Sequence, residues 1–305
     1  MQPSYKPYTE RTPDMQYLEA IRRLRSPEAR YTKTPFQEYG TFTHLSLSPL
    51  VYRLENGFPI LTERAIPFWR KPISELIAFI NGATTLDEMR HYGDEKTWAS
   101  WWANWVYEEK CAIFGLPAGD LGPGSYGGIL AKCPTPNGHF HQVKHLLKQM
   151  RDYPDIRTHM VTTWYAPYAL QHKELKRKVV VAPCHGTVMK FTIIDGKLTY
   201  QHVQRSIDFP VGGVLNIIQH ATLLLMVAQV LGIEPYEYIH YPIDSQIYEN
   251  QIEMVDELLL KREPRPFPTL VINDPTIRDL FAFRPEHFTL TNYDPHPVIN
   301  FPVTE

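Results

Sequence analysis

The stretch PCHGTVMKFTIIDGKLTYQHVQRSIDFPVGGVLN, residues 183–216, decides the fold class of this chain. Two runs rich in β-branched and aromatic residues, 188–194 and 198–203, flank the tripeptide Asp195-Gly196-Lys197. A short turn of this composition typically closes an antiparallel hairpin. The stretch therefore predicts two paired strands.

A long apolar segment follows this hairpin. Residues 216–231 are apolar on nearly every face, which predicts a helix buried in the core with Asn216 at its buried start. Earlier, residues 73–81 show helical apolar spacing, with Glu75 near the predicted start and Gly82 as the stop. Helices interleaved with antiparallel strands, without βαβ alternation or a glycine-rich phosphate loop, predict an α+β architecture.

The composition predicts one folded domain without disulfides. Hydrophobic residues make up 43% of the 305 residues, enough for one large core. Residues 1–14 carry scattered prolines and no periodicity, so we expect a flexible leader before a single domain over residues 15–305. Three irregularly spaced cysteines and the lack of a signal pattern lead us to expect a cytoplasmic protein without membrane attachment.

The charge excludes ligand classes that bind through a strong overall field. A formal net charge of −2 gives no field that gathers polymeric nucleic acid or an anionic membrane. Any anionic ligand must therefore be bound by a few positively charged side chains at one site. This favours a small phosphate-bearing ligand.

Cys184 is the first candidate for chemistry. It lies between Pro183 and His185, just before the first predicted strand, and the second strand is followed by Arg205-Ser206. A cysteine flanked by a histidine and cations can be held partly as thiolate, the form that attacks carbon. Alone the motif is weak, because a lone cysteine is more often a small core residue. An arginine and a hydroxyl at a strand end suit phosphate oxygens.

Further polar and flexible residues follow the second strand. Gly212-Gly213 let backbone approach a ligand, and Asp208 and Asn216 have opposite hydrogen-bonding preferences. Pro-Cys-His, a hairpin, Gln-Arg-Ser-x-Asp, glycine and then Asn at the head of an apolar helix together resemble the thymidylate synthase family. The resemblance runs from about residue 57 to the end, and its further matches are Ser74-Glu75-Leu76, Trp98, residues 119–123, Tyr126-Gly127, Asp244, Tyr248, Asn250, residues 262–268 and residues 293–297.

This resemblance implies an α+β three-layer fold with a large mixed or antiparallel sheet that packs against a dimer partner. It implies folate-dependent transfer of one carbon to C5 of a pyrimidine nucleotide, most directly dUMP, with 5,10-methylenetetrahydrofolate as cosubstrate and no metal. Cys184 is then the nucleophile that adds to C6, and Glu75 moves protons at the ring with ordered water. The other catalytic residues that the resemblance implies are Asn216, Asp208, Tyr126 and His185.

The resemblance also implies binding roles. Arg205 and Ser206 hold the phosphate, and Arg157 reaches across a homodimer interface to the partner's phosphate. Asn216 reads O4 and N3 of uracil, since an amide has both a donor and an acceptor. The other substrate residues are Gln204, Gln246 and Tyr248, the last at the sugar 3′-hydroxyl, and the folate residues are Trp98, Asp208 and Gly212.

Several positions depart from the family pattern. Thr158 stands where a second arginine is usual, and no arginine lies near Gln37 in the N-terminal loop. The candidate replacements for these charges are Arg30, Lys33 and Arg64. Further departures, on the sugar and folate sides, are Gln246, residues 128–130 and residues 214–215. Trp98 also belongs to a cluster that equally fits plain core packing, with Trp101, Trp102 and Trp105.

Three functions follow from these residues. In a thymidylate synthase, folate delivers both methylene and hydride and the product is dTMP. In a 5-hydroxymethylase acting on dUMP, dCMP or CMP, water quenches the methylene instead. A non-catalytic homologue would bind nucleotide or RNA. The joint presence of Cys184, Glu75, Asp208 and Asn216 argues against it, because a binding module needs neither a thiol nor a proton-moving acid.

Overall fold

The computed structural model describes residues 2–35, 37–93 and 101–304, and within them helices pack on a large sheet in an α+β fold, as predicted. The helices are α1 Gln16–Leu24, α2 Arg70–Ile80, α3 Leu86–Met89, α4 Glu108–Ile113, α5 Tyr126–Lys132, α6 Gln142–Asp152, α7 Ala166–Ala169, α8 Val214–Leu231 and α9 Ile252–Glu257. The strands are β1 Arg30–Thr32, β2 Thr41–His44, β3 Leu50–Arg53, β4 Cys133–Thr135, β5 Gly138–Phe140, β6 Met160–Val161, β7 Val188–Ile194, β8 Lys197–Asp208, β9 Glu234–Tyr248, β10 Thr269–Ile272 and β11 Phe288–Thr291.

The central sheet has seven strands and is mixed. Its order is β1-β2-β9-β8-β7-β6, and β3 pairs with an earlier part of β9 than β2 does. β8 and β9 run parallel, whereas the other pairs in this sheet are antiparallel. Because α8 connects these parallel strands, the prediction that βαβ alternation is absent is wrong for this one unit. Pro235 and Pro242 lie within the continuous strand β9, and they made this strand hard to predict from the sequence, since proline is uncommon within sheets.

The predicted hairpin is confirmed in β7 and β8. Asp195 and Gly196 in its turn have φ of 51° and 73°, and positive φ at both central residues is the requirement of the favoured two-residue hairpin turn. β8 extends to Asp208 rather than residue 203, because its last residues still pair with β9. Arg205 and Ser206 therefore lie inside the strand, not at its end as predicted.

α8 is the central core helix. It packs against β8 and β9 and is buried along most of its length. Asn216 is buried as predicted, in the first turn of a helix that begins at Val214. The segment Phe209–Leu231 is long and apolar enough to cross a membrane, but most of it is buried within the protein, as in the core helix of a soluble protein.

α2 places Glu75 against this core. The helix begins at Arg70 rather than at residue 73, so Glu75 lies in its middle and not near its start as predicted. Gly82, with φ of 85°, follows the helix end as predicted. α2 packs on α8 and on α5, and a Cβ at Gly127 of α5 would collide with the carbonyl of Ala83. This close approach brings the three helices together around one site.

The outer face of the central sheet is half-exposed. Thr199, Gln201 and Val203 of β8 alternate with buried residues, and Ile239 and Tyr241 of β9 do the same. Such a face is available for packing against another surface. The expected dimer partner on this face remains a prediction.

Residues 2–14 lie along the domain. The Tyr5 hydroxyl donates to the Leu270 carbonyl at 2.8 Å, and the buried Arg11 donates to the Phe267 carbonyl at 2.9 Å and to Thr269 Oγ1 at 2.7 Å. The boundary at residue 15 and the flexibility expected of the segment before it stay predictions.

Candidate active site

Cys184 lies just before β7 and is held from two sides. Its carbonyl accepts from the Arg205 N–H of β8 at 2.8 Å, and its own N–H donates to Tyr126 Oη of α5 at 2.9 Å. The same hydroxyl lies 3.2 Å from Cys184 Sγ. Because this oxygen already accepts from the N–H, its hydrogen is free to point at the sulfur. Tyr126 therefore fixes the position of the predicted nucleophile.

The surroundings of Cys184 favour the neutral thiol before any ligand binds. Burial raises the pKa of the thiol, while the Tyr126 hydroxyl and the positive charge of Arg205 lower it and the negative charge of Glu75 raises it. The expectation that a flanking histidine and cations hold Cys184 partly as thiolate stays a prediction, and burial acts against it.

Arg205 lies along the segment that leads to Cys184. Its Nε donates to the Pro183 carbonyl at 3.2 Å, and its guanidinium carbon lies 5.2 Å from the centre of the Trp164 ring. The N–H of Ser206 lies 3.5 Å from the Cys184 carbonyl. The two residues predicted to hold phosphate are thus adjacent to the predicted nucleophile.

A second arginine near this position, Arg177, escaped the sequence analysis. It donates to the Val180 carbonyl at 2.6 Å, and its buried Nε has no hydrogen-bond partner among the described residues. Burial lowers the pKa of Arg177, and the positive charge of Arg205 lowers it further. Two cations this near to each other favour an anion between or beside them.

Glu75 is buried, and its carboxyl accepts from two side chains. Trp102 Nε1 donates to Oε1 and Gln219 Nε2 donates to Oε2. Burial raises the pKa of Glu75 to about 7, although both hydrogen bonds act to lower it. A carboxyl with this pKa can release and take up a proton near neutral pH.

Asn216 is held at both ends of its amide. Its Nδ2 donates to Gln219 Oε1 at 2.8 Å, and its Oδ1 accepts from Gln204 Nε2 at 2.7 Å. An amide has two hydrogens and two lone pairs, so one of each remains for a ligand. A Cβ on Gly212 would lie 3.8 Å from Asn216 Oδ1, which places this glycine beside the predicted base-reading residue.

His185 lies behind Tyr126. The two rings stack with centroids 4.3 Å apart, and His185 Nδ1 lies 3.0 Å from His220 Nε2. Burial, with a further contribution from His240, lowers the pKa of His185 to about 3, so the ring is neutral. In this position it supports the Tyr126 ring, and the catalytic role predicted for it stays a prediction.

Three buried histidines have the spacing of a metal site, but two of them use both ring nitrogens in hydrogen bonds. Nitrogens of His185, His202 and His220 lie within 4.8 Å of one another. However, His202 Nε2 accepts from the Gly186 N–H at 2.9 Å, and its Nδ1 lies 2.9 Å from Tyr238 Oη. His220 is hydrogen-bonded at both nitrogens as well. We interpret these rings as a structural stack rather than a metal centre.

Asp208 connects the site to the C-terminal segment. Its two carboxyl oxygens accept from Gln251 Nε2 at 3.2 and 3.0 Å, and the same nitrogen donates to the Pro302 carbonyl at 3.2 Å. Burial raises the pKa of Asp208 to about 7, against the Gln251 hydrogen bond and the charge of Arg64. Residues at the end of the chain therefore lie close to Asp208, which is predicted to bind folate.

Gln246 and Tyr248 lie together at the end of β9. Gln246 Nε2 donates to the Tyr248 hydroxyl at 3.5 Å, and β9 pairs Gln246 with Asp208. Burial, followed by the charges of Asp208 and Asp244, raises the pKa of Tyr248 to about 12. The hydroxyl thus stays protonated and able to donate. The sugar contact predicted for it remains a prediction.

Other predicted residues lie away from Cys184. Arg157 is exposed beside Lys190 of β7, where its charge adds to burial in lowering the pKa of the lysine. Arg64 donates to the Pro210 carbonyl at 2.6 Å, and its positive charge acts to lower the pKa of Asp208, so it lies near a residue predicted to bind folate. Its proposed replacement of a phosphate charge stays a prediction. Trp98 lies outside the described residues.

The sequence did not predict the residues that link Glu75 and Asn216 through hydrogen bonds. Trp102 was grouped with a packing cluster, and Gln219 and His240 were not considered. The available signal was the polar pair Gln219-His220 within an otherwise apolar helix, since buried polar side chains are normally hydrogen-bonded.

A protein-family comparison supports the same assignment. The family model described as thymidylate synthase matches residues 15–305 of the chain. The match includes each of the predicted site residues.

Proposed function

Because the chain belongs to the thymidylate synthase family, we propose that it converts dUMP to dTMP by folate-dependent transfer of one carbon to C5 of the base. At family level it is a one-carbon transferase that acts on a pyrimidine nucleotide. The observation that carries the finer proposal is the convergence of Cys184, Glu75 and Asn216. Tyr126 positions the sulfur, and Gln219 joins the other two residues.

The proposed chemistry begins at the sulfur. Cys184 Sγ gives its proton to ordered water and bonds C6 of the pyrimidine, while the C5–C6 electron pair moves toward C5 and O4. The Tyr126 hydroxyl, 3.2 Å from Sγ, stabilises the sulfur anion as it forms. Asn216 donates to O4, where negative charge accumulates. Glu75, with its pKa near 7, gives and takes up protons at the ring.

5,10-Methylenetetrahydrofolate is the proposed cosubstrate and supplies the methylene group, together with a hydride in a thymidylate synthase. The buried Asp208 carboxyl suits the N–H groups of a pterin, and its partner Gln251 also holds the C-terminal segment. Gly212 allows backbone to approach a ligand beside Asn216. Trp98 is the remaining folate contact that we propose.

The proposed phosphate site uses Arg205, Ser206 and Arg157 from a second copy of the chain. Arg157 is exposed beside Lys190 on the half-exposed outer face of the sheet, where a partner subunit can receive it. Arg177, whose pKa is lowered by burial and by the charge of Arg205, adds positive potential. We therefore propose a homodimer that acts on a mononucleotide in the cytoplasm.

A nucleotide 5-hydroxymethylase is the second candidate function. The observation that favours it is the sequence on the folate and sugar sides, where residues 128–130 and 214–215 depart from the family pattern. These side chains adjoin Tyr126 and Asn216. A change here would alter whether water or hydride reaches the methylene group.

Product analysis separates the two functions. The protein is incubated with dUMP and 5,10-methylenetetrahydrofolate, dihydrofolate absorbance is followed, and the new nucleotide is identified by mass. Formation of dTMP with an equal amount of dihydrofolate supports the lead proposal. A hydroxymethylated nucleotide without dihydrofolate replaces it with the second function, and no new nucleotide from dUMP, dCMP or CMP contradicts both.

A further inference from the structure

A chain of side-chain hydrogen bonds runs through Asn216 from His240 to Glu75. It has one direction, because each amide accepts through its oxygen on the His240 side and donates through its nitrogen on the Glu75 side. The links in order are His240 Nε2 with Gln204 Oε1 at 3.0 Å, Gln204 Nε2 with Asn216 Oδ1 at 2.7 Å, Asn216 Nδ2 with Gln219 Oε1 at 2.8 Å, and Gln219 Nε2 with Glu75 Oε2.

Groups that only accept fix this direction at both ends. Gln204 Nε2 also donates to the backbone carbonyl of Ser206 at 3.2 Å, so the Gln204 oxygen must face His240. At the other end Glu75 Oε2 accepts from Gln219 Nε2, and in its ionised form the carboxylate can only accept, which keeps the nitrogen of Gln219 turned toward it. Asn216 lies between two amides that are each already oriented.

Burial makes a reversed amide unfavourable. Gln204, Gln219 and His240 are fully buried and Asn216 is 7% exposed. Turning Asn216 alone would place its nitrogen against the nitrogen of Gln204 and its oxygen against the oxygen of Gln219. Buried donors and acceptors left without partners cost their full desolvation free energy. One orientation of Asn216 therefore dominates.

We propose that Gln204, Gln219 and His240 are positioning residues that determine which pyrimidine the enzyme accepts, by fixing the orientation of the Asn216 amide. The inference rests on the proposed function, in which Asn216 reads the base. Uracil presents an N3–H donor and an O4 acceptor, whereas cytosine presents an N3 acceptor and an amino donor. The two bases need opposite orientations of one amide, and the fixed orientation accepts uracil nucleotides.

The test is the ratio of dUMP to dCMP affinity, measured by calorimetric titration so that no turnover is needed. Gln204→Glu puts acceptor oxygens opposite Asn216 and favours the reversed amide, so we expect the ratio to fall at least about tenfold. Gln219→Met removes the link to Glu75 and lets the amide adopt both orientations, so the ratio moves toward one.

Gln229→Leu is the matched control. Gln229 is another buried amide of α8, bonded to the backbone carbonyls of Asp274 and Ile277 and outside the chain of hydrogen bonds. Its replacement should leave the nucleotide ratio at the wild-type value, whatever it does to stability.

The outcomes distinguish this inference from the proposed function. A folded Gln219→Met protein with the wild-type ratio overturns the inference, and so does an equal loss of affinity for both nucleotides, which marks a merely structural role. If the Gln204→Glu protein does not fold, the ratio of dUMP to dCMP affinity in the Gln219→Met protein tests the inference alone. Wild-type protein that binds neither nucleotide refutes the proposed function itself, before any variant is considered.

Discussion

Replacing Tyr126 by phenylalanine tests how the site controls its sulfur. The change removes one oxygen that accepts from the Cys184 N–H at 2.9 Å and lies 3.2 Å from Sγ, and it leaves the ring that stacks between His185 and Phe79. The perturbation is therefore confined to hydrogen bonding. Packing around the sulfur is retained.

The structure gives the size of the expected effect. A hydrogen bond to a charged acceptor contributes roughly 1.5–3 kcal/mol, and the Tyr126 hydroxyl is the first contribution that lowers the Cys184 pKa against burial. Its loss raises the pKa of the thiol further. We expect the thiolate population near neutral pH to fall about 10- to 100-fold, since 1.4 kcal/mol is tenfold. The stranded Cys184 N–H also costs about 1–3 kcal/mol of stability.

The assay is the rate at which iodoacetamide alkylates Cys184, followed by peptide mass because Cys111 and Cys133 are also free thiols. Thiolate is the reactive form, so the rate reports its population. Tyr17→Phe is the control, because the buried Tyr17 hydroxyl has no partner among the described residues. It should leave the rate unchanged.

An unchanged alkylation rate in folded Tyr126→Phe protein would refute this reasoning. It would mean that the hydroxyl does not stabilise the sulfur anion. Equal slowing in Tyr17→Phe would also contradict it, because the effect would then be a general response to a lost buried hydroxyl.

Three further predictions follow from the site. Asn216→Asp should shift the substrate preference from uracil toward cytosine nucleotides, as measured by kcat/KM for dUMP and for dCMP. An unchanged ratio of the two kcat/KM values would show that Asn216 does not read the base. Burial raises the pKa of Glu75 from 4.5 to about 7, so between these pH values the folded state holds a proton that the unfolded chain releases. Proton binding at Glu75 therefore adds to the free energy of unfolding below about pH 4.5, and this contribution is lost as pH rises through about 7. Glu75→Gln should therefore weaken the fall of Tm over that window, and an identical pH profile would contradict the assignment. Arg157→Ala and Cys184→Ala proteins, each inactive alone, should recover activity when their subunits are mixed, whereas a mixture that stays inactive would place Arg157 in its own subunit's site.

Local sequence patterns predicted the hairpin and the core helix. The β-rich runs around Asp195-Gly196 and the apolar segment after Asn216 are strong signals, and both elements are confirmed. The parallel strand β9 was missed because its pairing with β8 is a long-range contact and its prolines hide the pattern. β8 extends beyond residue 203 because its last residues pair with β9, so Arg205 lies within the strand.

The sequence predicted individual reactive residues of the site, but not the contacts that surround them. Cys184 and Glu75 were recognisable through the family resemblance, but their environments depend on tertiary packing. Burial sets the pKa of both groups, and no sequence spacing shows it. The bridging role of Gln219 likewise appears only when α2 and α8 are packed together.

The most direct test of the account is tritium release from dUMP labelled at C5, in the presence of 5,10-methylenetetrahydrofolate. Departure of that hydrogen requires prior bonding of a nucleophile to C6, which we assign to Cys184. Wild-type protein should release tritium into water, and folded Cys184→Ala protein should release none. Release by the alanine variant at the wild-type rate, or no release by the wild type, would contradict the account.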